Sequence, residues 1–179
     1  MEFKTLSSEY ISRHPYFTAR KDAYETPTGK VVEPYFVVEL PDSAVAVAIT
    51  TKDEVVLIEQ YRHPINALSL ELPGGFIDPK EANEIAVARE LTEETGYSFT
   101  DFQYLGKTFA NPGVLNNCTH MYLATGGTLT GGQTLDPNEE IRILLKPLKE
   151  VKTMVSEGEF KQCLHEICLR RAFELLERS

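Results

Sequence analysis

One stretch, residues 75 to 97, constrains the fold of this chain more than any other. Asp78 is a good helix N-cap, Pro79 suits the first helical position, and Glu81 lies where a capping box places its acid. Gly96 is the residue type that commonly ends a helix. The stretch therefore predicts one helix that begins near Asp78 and ends at Gly96.

Apolar residues in this helix recur at helical spacing. Ile85, Ala88 and Leu91 follow one another three residues apart, and Val87 lies close to them. Such a period predicts one apolar face packed against a core.

The acids of the same helix are unusual. Glu90 and Glu94 are four residues apart and Glu93 adjoins Glu94, so three carboxylates crowd about one turn. They repel one another by roughly a few tenths of a kcal/mol per pair, and the C-terminal end of the helix dipole disfavours anions. Arg89 reaches Glu93 but cannot neutralise three acids. A site for a hard divalent cation, Mg²⁺ or Mn²⁺, and a solvated acidic face are both consistent with the acids alone.

The residues before the helix favour the metal site. Leu72-Pro73-Gly74-Gly75 predicts a tight turn whose backbone can approach a ligand closely. The whole stretch resembles the Nudix box, which reads Gly, five residues, Glu, seven residues, Arg-Glu-aliphatic-any-Glu-Glu-any-Gly-aliphatic. The matching residues are Gly75, Glu81, Arg89, Glu90, Leu91, Glu93, Glu94 and Gly96. Tyr97 departs from the pattern, which has an aliphatic residue there, and this difference affects packing rather than chemistry.

This resemblance implies a fold and an activity. The fold is α/β, an α/β/α sandwich around a mixed sheet. The activity is metal-dependent hydrolysis of a nucleoside diphosphate linked to another group. The same resemblance implies that Glu90 and Glu94 bind the metal, with the Gly74 carbonyl as a third ligand, and that Glu93 binds a second ion or orients the water.

Composition sets the broader limits. The 179 residues are 42% hydrophobic and 25% charged, which is typical of one globular domain. No apolar run approaches the roughly 18 residues of a membrane span, and no signal peptide is apparent at the N-terminus. The three cysteines, Cys118, Cys163 and Cys168, are odd in number and lack zinc-like spacing, which favours free thiols in the cytoplasm. The net charge of −9 argues against a nucleic-acid surface.

Residues 1–40 are predicted to form an antiparallel ribbon, with strands at 10–13, 17–24 and 31–40. Its aromatic residues pack in a core or at a partner interface, and they are Tyr10, Tyr16, Phe17, Tyr24, Tyr35 and Phe36. In the ADP-ribose pyrophosphatase branch of the Nudix family, a similar piece builds a homodimer and contributes to the adenine pocket. The resemblance thus implies a dimerisation element at 1–40 and a hydrolase domain at 41–179.

The remaining elements follow from hydrophobic period and turn residues. The predicted strands are 44–50, 54–60, 68–72, 102–109, 120–124 and 141–145, and the predicted helices after the acidic one are 148–155 and 163–176. A Gly-rich loop is predicted at 125–140. A loop of that length is usually functional or mobile.

Three residues outside the acidic helix are candidates for substrate binding. Arg62 ends the triplet Gln60-Tyr61-Arg62, which resembles one in ADP-ribose pyrophosphatases and favours a diphosphate-binding role over a surface arginine. Pro112 lies in a turn predicted at residues 111–114. It follows Tyr97 by fifteen residues and resembles the proline that marks the same branch. Glu71 is either a ligand near the metal or only a carboxylate at the end of a strand.

The candidates for the general base are two acids of the late loop, Glu139 and Glu140, with Arg89 and Glu93 completing the catalytic set. His165 on the last helix is expected to be structural or exposed. The substrate most favoured is ADP-ribose, which hydrolysis splits into AMP and ribose 5-phosphate. The alternatives are GDP-mannose, which yields GMP and mannose 1-phosphate, and a non-catalytic module that senses such nucleotides.

Overall fold

A computed structural model describes residues 1–14 and 17–178. The chain forms two compact units. The N-terminal unit comprises Met1–Pro41 and Phe109–Cys118, and the larger unit comprises Asp42–Thr108 and Thr119–Ser179. The first unit therefore also takes in a later segment, residues 109–118, that the sequence assigned to the hydrolase domain.

The N-terminal unit is built on three antiparallel strands, β1 Lys4–His14, β2 Phe17–Glu25 and β3 Val31–Glu39, in the order β1-β2-β3. This sheet confirms the predicted ribbon, although Tyr16 lies outside the described residues. The later segment joins the sheet where the Tyr35 hydroxyl donates a hydrogen bond to the Gly113 carbonyl at 2.8 Å.

The larger unit contains an eight-stranded mixed sheet and three α-helices. Its strands are β4 Ser43–Thr50, β5 Glu54–Arg62, β6 Ala67–Glu71, β7 Gly74–Phe76, β8 Tyr97–Ser98, β9 Asp101–Thr108, β10 Thr119–Leu129 and β11 Ile141–Pro147. Its helices are α1 Asn83–Thr95, α2 Leu148–Ser156 and α3 Cys163–Leu176, with a 3₁₀ turn at His63–Ile65. The central order is β11-β5-β4-β10-β8, and β4 and β10 are parallel.

Strand β4 shows how the larger unit is layered. Its valines and isoleucine, which include Val45 and Val47, pack in a cluster with residues of α2 and α3. Its alternate residues, Ala44, Ala46 and Ala48, pack in a second cluster with Val87 and Leu91 of α1. Because successive strand residues point to opposite faces, the sheet has helices on both sides. The predicted α/β/α sandwich is confirmed.

The predicted start of the acidic helix was wrong. Helix α1 begins at Asn83 with Ala82 as its N-cap. Lys80 has φ of 71°, a left-handed conformation that interrupts a helix. The Glu81 carboxylate still accepts a hydrogen bond from the Asp78 backbone N–H at 3.0 Å, so this pairing closes a turn ahead of the helix.

The predicted apolar face of α1 was right at Val87 and Leu91, which are buried, and wrong at Ile85. Ile85 is 61% exposed, whereas the buried face includes Val87, Leu91 and Glu94. These three residues follow the spacing of four and then three that keeps side chains on one side of a helix. An acid therefore occupies a position of the core-facing stripe.

Two further boundaries differ from the prediction. The expected tight turn at Gly74-Gly75 is part of β7, which pairs with β4. Strand β10 continues to Leu129, so the late loop is shorter than expected and begins near residue 130. No helix within the described ranges is both long and apolar enough to cross a membrane.

Candidate active site

Helix α1 presents its three acids to different surroundings. Glu94 is only 4% exposed, while the side chains of Glu90 and Glu93 are 16% and 42% exposed. The difference arises because Glu94 shares the buried face with Leu91. The most deeply buried acid is thus the one whose charge is costliest to maintain.

The Glu94 carboxylate accepts a hydrogen bond from the Gly74 backbone N–H at 2.8 Å. Burial raises the pKa of Glu94 to about 8. The Gly74 hydrogen bond opposes this rise, repulsion from Glu90 and Glu139 adds to it, and the charge of Arg62 lowers it. The nearby positive charge is therefore too small to offset the cost of ionising the buried Glu94 carboxylate.

Arg89 organises the acids around it. Its Nε and Nη2 atoms donate to the two oxygens of Glu81, each at 3.0 Å. Its Nη1 atom donates to Glu90 at 2.9 Å and to Glu93 at 3.0 Å, and Nη2 also reaches the Phe76 carbonyl at 3.1 Å. The hydrogen bonds to Glu81 raise the pKa of Arg89 far above its ordinary value. The expected contact between Arg89 and Glu93 is present.

Glu90 lies directly against Gly75. A Cβ atom at Gly75 would stand 2.6 Å from the Glu90 Oε1 atom, closer than real contacts allow. Burial raises the pKa of Glu90, and the charge of Arg89 opposes that rise. A larger residue at this position would therefore displace the Glu90 carboxylate from its place beside the strand.

The three acids of α1 do not share one hydrogen-bond donor. In the described part of the chain, Glu90, Glu93 and Glu94 do not bring three carboxylate oxygens within 4.8 Å of one another. Arg89 holds Glu90 and Glu93, whereas the Gly74 N–H holds Glu94. The contact made by Gly74 is through its amide, and the ligand role of its carbonyl stays a prediction.

A second group of charged residues is built on an ion pair between Arg62 and Glu71. The Arg62 Nε and Nη2 atoms donate to the two carboxylate oxygens of Glu71 at 2.8 and 2.6 Å. Burial alone would raise the pKa of Glu71, but its bonds and charge interactions with Arg62 and His165 hold it below the ordinary value. Glu71 is 1% exposed, while the Arg62 side chain is 47% exposed. Glu71 thus anchors an arginine that still faces solvent.

His165 supports the same corner from helix α3. The Leu72 backbone N–H donates to its Nδ1 atom at 3.1 Å, so the proton of the neutral ring is on Nε2. Burial lowers the pKa of His165 to about 4. The residue is structural, one of the two outcomes expected. Its partner is 93 residues away in sequence, so no local pattern signalled the contact.

The late loop brings one of the two candidate bases toward the site. The charge of Glu139 contributes to the raised pKa values of Glu90 and Glu94, after burial, and it also acts on Arg62. The Glu139 side chain accepts a hydrogen bond from the Asp136 N–H at 3.0 Å. Glu140 is exposed and exerts no comparable effect on these groups.

Pro112 lies in the N-terminal unit, in the predicted turn. The Val114 and Leu115 N–H groups both donate to the Asn111 carbonyl, at 3.0 and 2.8 Å. The turn is confirmed, and the substrate-binding role of Pro112 stays a prediction. Tyr97 belongs to β8 and its ring lies 6.5 Å from that of Phe99.

The acids of α1 fit a hard divalent cation. Glu90 and Glu94 offer carboxylate oxygens, the ligands that Mg²⁺ and Mn²⁺ prefer. Arg62, the positive charge that favours ionised Glu94, is already paired with Glu71. A cation at this position would relieve the repulsion among Glu90, Glu94 and Glu139.

Comparison with known proteins agrees with this arrangement. Residues 39–163 match the NUDIX domain, and residues 3–38 match the nucleoside diphosphate sugar hydrolase N-terminal domain. The chain belongs to the Nudix family. Nudix hydrolases depend on divalent metal, so the family accounts for the acids of α1.

Curated Nudix relatives match over most of the chain. The ADP-ribose pyrophosphatase of Mycobacterium tuberculosis (strain ATCC 25618 / H37Rv) is 31% identical over 88% of this chain and 77% of its own length. The ADP-ribose pyrophosphatase of Bacillus subtilis (strain 168) is 27% identical over 99% of this chain and 84% of its own. A crystal structure of an ADP compounds hydrolase superposes with a TM-score of 0.86 at 23% identity, over 99% of this chain and 96% of that one. This structural likeness shows the shared fold.

Proposed function

We propose that this Nudix hydrolase splits the diphosphate bond of nucleoside diphosphate sugars, with ADP-ribose as the substrate and Mg²⁺ as the metal, which Mn²⁺ replaces. The observation that carries the proposal is the acid pair on α1, half-buried Glu90 and buried Glu94, with Arg62 close enough for its charge to act on Glu94. The names of the two ADP-ribose pyrophosphatases support the choice of substrate.

The chemistry assigns a role to each group. Glu90 and Glu94, with Gly74, hold the Mg²⁺, which when bound neutralises diphosphate charge and lowers the pKa of water. The water oxygen forms a bond to one phosphorus while the bridging P–O bond breaks, which gives AMP and ribose 5-phosphate. Glu139 accepts the proton that the water loses. Glu93 orients the water, and Arg89 keeps Glu90 and Glu93 in place.

Arg62 binds the diphosphate in this proposal. The Nε and Nη2 atoms of Arg62 donate to Glu71, which leaves its Nη1 atom to donate to a phosphate oxygen. A guanidinium held in a fixed plane loses less conformational freedom when it binds an anion. The buried carboxylate therefore prepares Arg62 for its substrate.

The choice of Glu139 over Glu140 leads to a direct prediction. Glu139→Gln removes the proton acceptor and is expected to lower kcat by about 10² to 10⁴-fold, the usual contribution of a general base. Glu140→Gln is the matched control, and its kcat is expected to stay near the wild-type value. Steady-state hydrolysis of ADP-ribose measures both. Equal effects of the two substitutions, or a larger effect at Glu140, would contradict the assignment.

The N-terminal unit contains a pocket of its own. Its volume is about 300 Å³, and its lining residues are Phe3, Thr5, Asp22, Tyr24, Tyr35 and Val37. The Tyr24 ring lies 6.2 Å from Phe3 and 5.6 Å from Tyr35. Both oxygens of the Asp22 carboxylate accept hydrogen bonds from the Arg20 Nε atom at 3.0 Å, so the pocket combines aromatic rings with a carboxylate that is already paired.

Two other functions compete with this one. GDP-mannose hydrolysis needs the same metal site and differs only in the base and the sugar. A sensor that binds nucleotides without cleaving them does not need the complete set of acids, and membership of a hydrolase family argues against it. ADP-ribose remains the substrate proposed.

The proposal extends to assembly and location. The N-terminal sheet exposes several large apolar side chains, among them Ile11 and Phe36, which supports a homodimer formed through residues 1–40. The three cysteines form no disulfide within the described residues, which supports a cytoplasmic location. The net charge of −9 favours a small nucleotide over nucleic acid as the partner.

A panel of nucleotides tests the proposed substrate. Purified protein is incubated with ADP-ribose, GDP-mannose, a diadenosine polyphosphate and ATP at one Mg²⁺ concentration, with and without EDTA. The expected result is the highest kcat/KM for ADP-ribose, with AMP and ribose 5-phosphate as products and no activity in EDTA. A clear preference for another compound overturns the substrate. Binding without cleavage of any of them overturns the hydrolase.

A further inference from the structure

The late loop is fastened to the C-terminal end of helix α1. The last carbonyls of a helix lack partners within the helix, and here the loop supplies them. The Thr134 N–H donates to the Glu93 carbonyl at 2.7 Å, and the Gly131 N–H donates to the Gly96 carbonyl at 3.1 Å. A Cβ atom on Gly96 would lie 2.5 Å from the Gly131 carbonyl oxygen, so the loop approaches as closely as a glycine permits.

One side chain of this loop bonds to two separate segments. The Gln133 Nε2 atom donates to the Glu94 carbonyl at 2.8 Å and to the Ile141 carbonyl at 3.1 Å. Glu94 lies in the last turn of α1, and Ile141 begins β11. The amide group of Gln133 therefore joins the helix of the metal-binding acids to the point where the late loop re-enters the sheet.

The residues between these two points include Glu139. Residues 134–140 leave Gln133 and return to Ile141, which the same amide group holds. Within the loop, Glu139 makes a local turn with Asp136, through its own N–H to the Asp136 carbonyl at 2.9 Å and through its carboxylate to the Asp136 N–H at 3.0 Å. The local bonds fix the shape of the loop tip, and Gln133 fixes the base of the loop against α1.

We propose that Gln133 is a positioning residue that holds Glu139 at its working distance from the acids of α1. The inference rests on the proposed function, in which Glu139 accepts the proton of the attacking water. An exposed loop closed at both ends has fewer conformations than one held at its strand ends alone. A misplacement of about 1 Å in a catalytic group can lower a rate by about 10²-fold.

The test replaces the amide without changing the length of the side chain. Gln133→Met removes both hydrogen bonds, and Gln103→Met, a glutamine on the exposed part of β9, is the matched control. We expect Gln133→Met to lower kcat for ADP-ribose by about tenfold or more, with KM changed less than about twofold, because the loss falls on the transition state. The control is expected to match the wild-type protein.

A double-mutant cycle separates positioning of Glu139 from a general structural effect. In a Glu139→Gln background, Gln133→Met is expected to leave kcat within about twofold, because the group it positions no longer accepts a proton. Amide hydrogen exchange of residues 134–140, measured in the full-length protein, is expected to be faster in Gln133→Met and unchanged in Gln103→Met. Exchange in helix α3 serves as the internal reference for global stability.

The outcomes are distinguishable. Normal turnover of Glu139→Gln overturns the base assignment, and the inference with it. Normal turnover of Gln133→Met beside an impaired Glu139→Gln overturns the inference alone. An equal loss from Gln133→Met in both backgrounds, or faster exchange throughout the protein, shows that Gln133 acts on the fold and also overturns it.

Discussion

Strands β4 and β1 differ in how much of each strand is buried. Seven of the eight residues of β4 are buried, whereas ten of the eleven residues of β1 are exposed. Each face of β4 is covered by helices of the larger unit, and burial of apolar surface contributes about 25 cal/mol per Å². Among the described residues, the N-terminal unit contributes no helix to cover its own sheet. The larger unit thus provides its own core, and the N-terminal unit needs a second surface.

The polar groups of the two units show the same contrast. The larger unit buries Glu71, Glu94 and His165, each with a hydrogen-bond partner. Of the residues that the structure describes, none in the N-terminal unit has a buried polar side chain. Disturbing a buried polar group of the larger unit is therefore expected to change stability or binding, while disturbing the exposed sheet is expected to change association.

The largest effect on stability is expected at His165. Burial lowers its folded pKa to about 4, below the ordinary value of 6.5, with the charge of Glu71 opposing and that of Arg62 reinforcing the shift. Between these values the unfolded chain binds the proton and the folded chain does not. The stability that this pKa difference confers is complete above the unfolded-state pKa. It is lost as the pH falls through the folded-state pKa, and the loss reaches up to about 3 kcal/mol.

Urea unfolding at several pH values between 4 and 7 measures this loss. His165→Gln keeps an acceptor for the Leu72 N–H and cannot titrate, so its stability is expected to fall less steeply with acid than that of the wild type. His63→Gln is the matched control, because His63 is an exposed histidine of the same unit. An unchanged acid dependence in His165→Gln would contradict the account.

Arg62 is expected to show both stability and binding effects. Arg62→Ala leaves the carboxylate of Glu71 buried without its partner, at a cost of about 1–2 kcal/mol, since the arginine is half exposed. It also removes a diphosphate contact, so KM is expected to rise about 10 to 100-fold with a smaller change in kcat.

A second variant separates the two effects. Arg62→Ala with Glu71→Gln removes the buried charge and is expected to recover stability but leave KM high. Recovery of a normal KM would show that Arg62 serves only Glu71. A fall in kcat alone would instead show that Arg62 stabilises the negative charge that develops as water attacks the phosphorus.

The smallest effect on turnover is expected in the N-terminal sheet. Ile11→Lys with Phe36→Lys places two charges on its exposed surface and is expected to convert a homodimer into monomers, with a several-fold rise in KM. Ile85→Lys is the control, since Ile85 is 61% exposed and Ile11 is 60% exposed. Light scattering that reports a monomer for the unaltered chain would contradict the dimer.

Features set by neighbours in sequence were the predictable ones. Helix α3 occupies the predicted residues 163–176, because its apolar period and its N-terminal Gln162 act within a few residues. The acids of α1 were also predictable, since their crowding follows from helical spacing. The start of α1 was not, because the left-handed conformation of Lys80 has no signature in that residue type.

Contacts between distant segments escaped prediction. His165 bonds to Leu72 across 93 residues, and Gln133 bonds to Glu94 across 39. Neither partner alters the local hydrophobic period or the turn residues. The sequence therefore predicted which acids crowd together on α1, but not which side chains fix their surroundings.

Binding of Mn²⁺ to the wild-type protein and to Glu94→Gln tests the central claim most directly. The signal of free Mn²⁺ in electron paramagnetic resonance gives the affinity, and Glu174→Gln, whose side chain is 70% exposed on α3, is the control. The account predicts that the wild type and the control bind Mn²⁺ and hydrolyse ADP-ribose, whereas Glu94→Gln stays folded, binds about tenfold more weakly or worse, and loses orders of magnitude in turnover. Undiminished Mn²⁺ affinity and turnover in Glu94→Gln would contradict it.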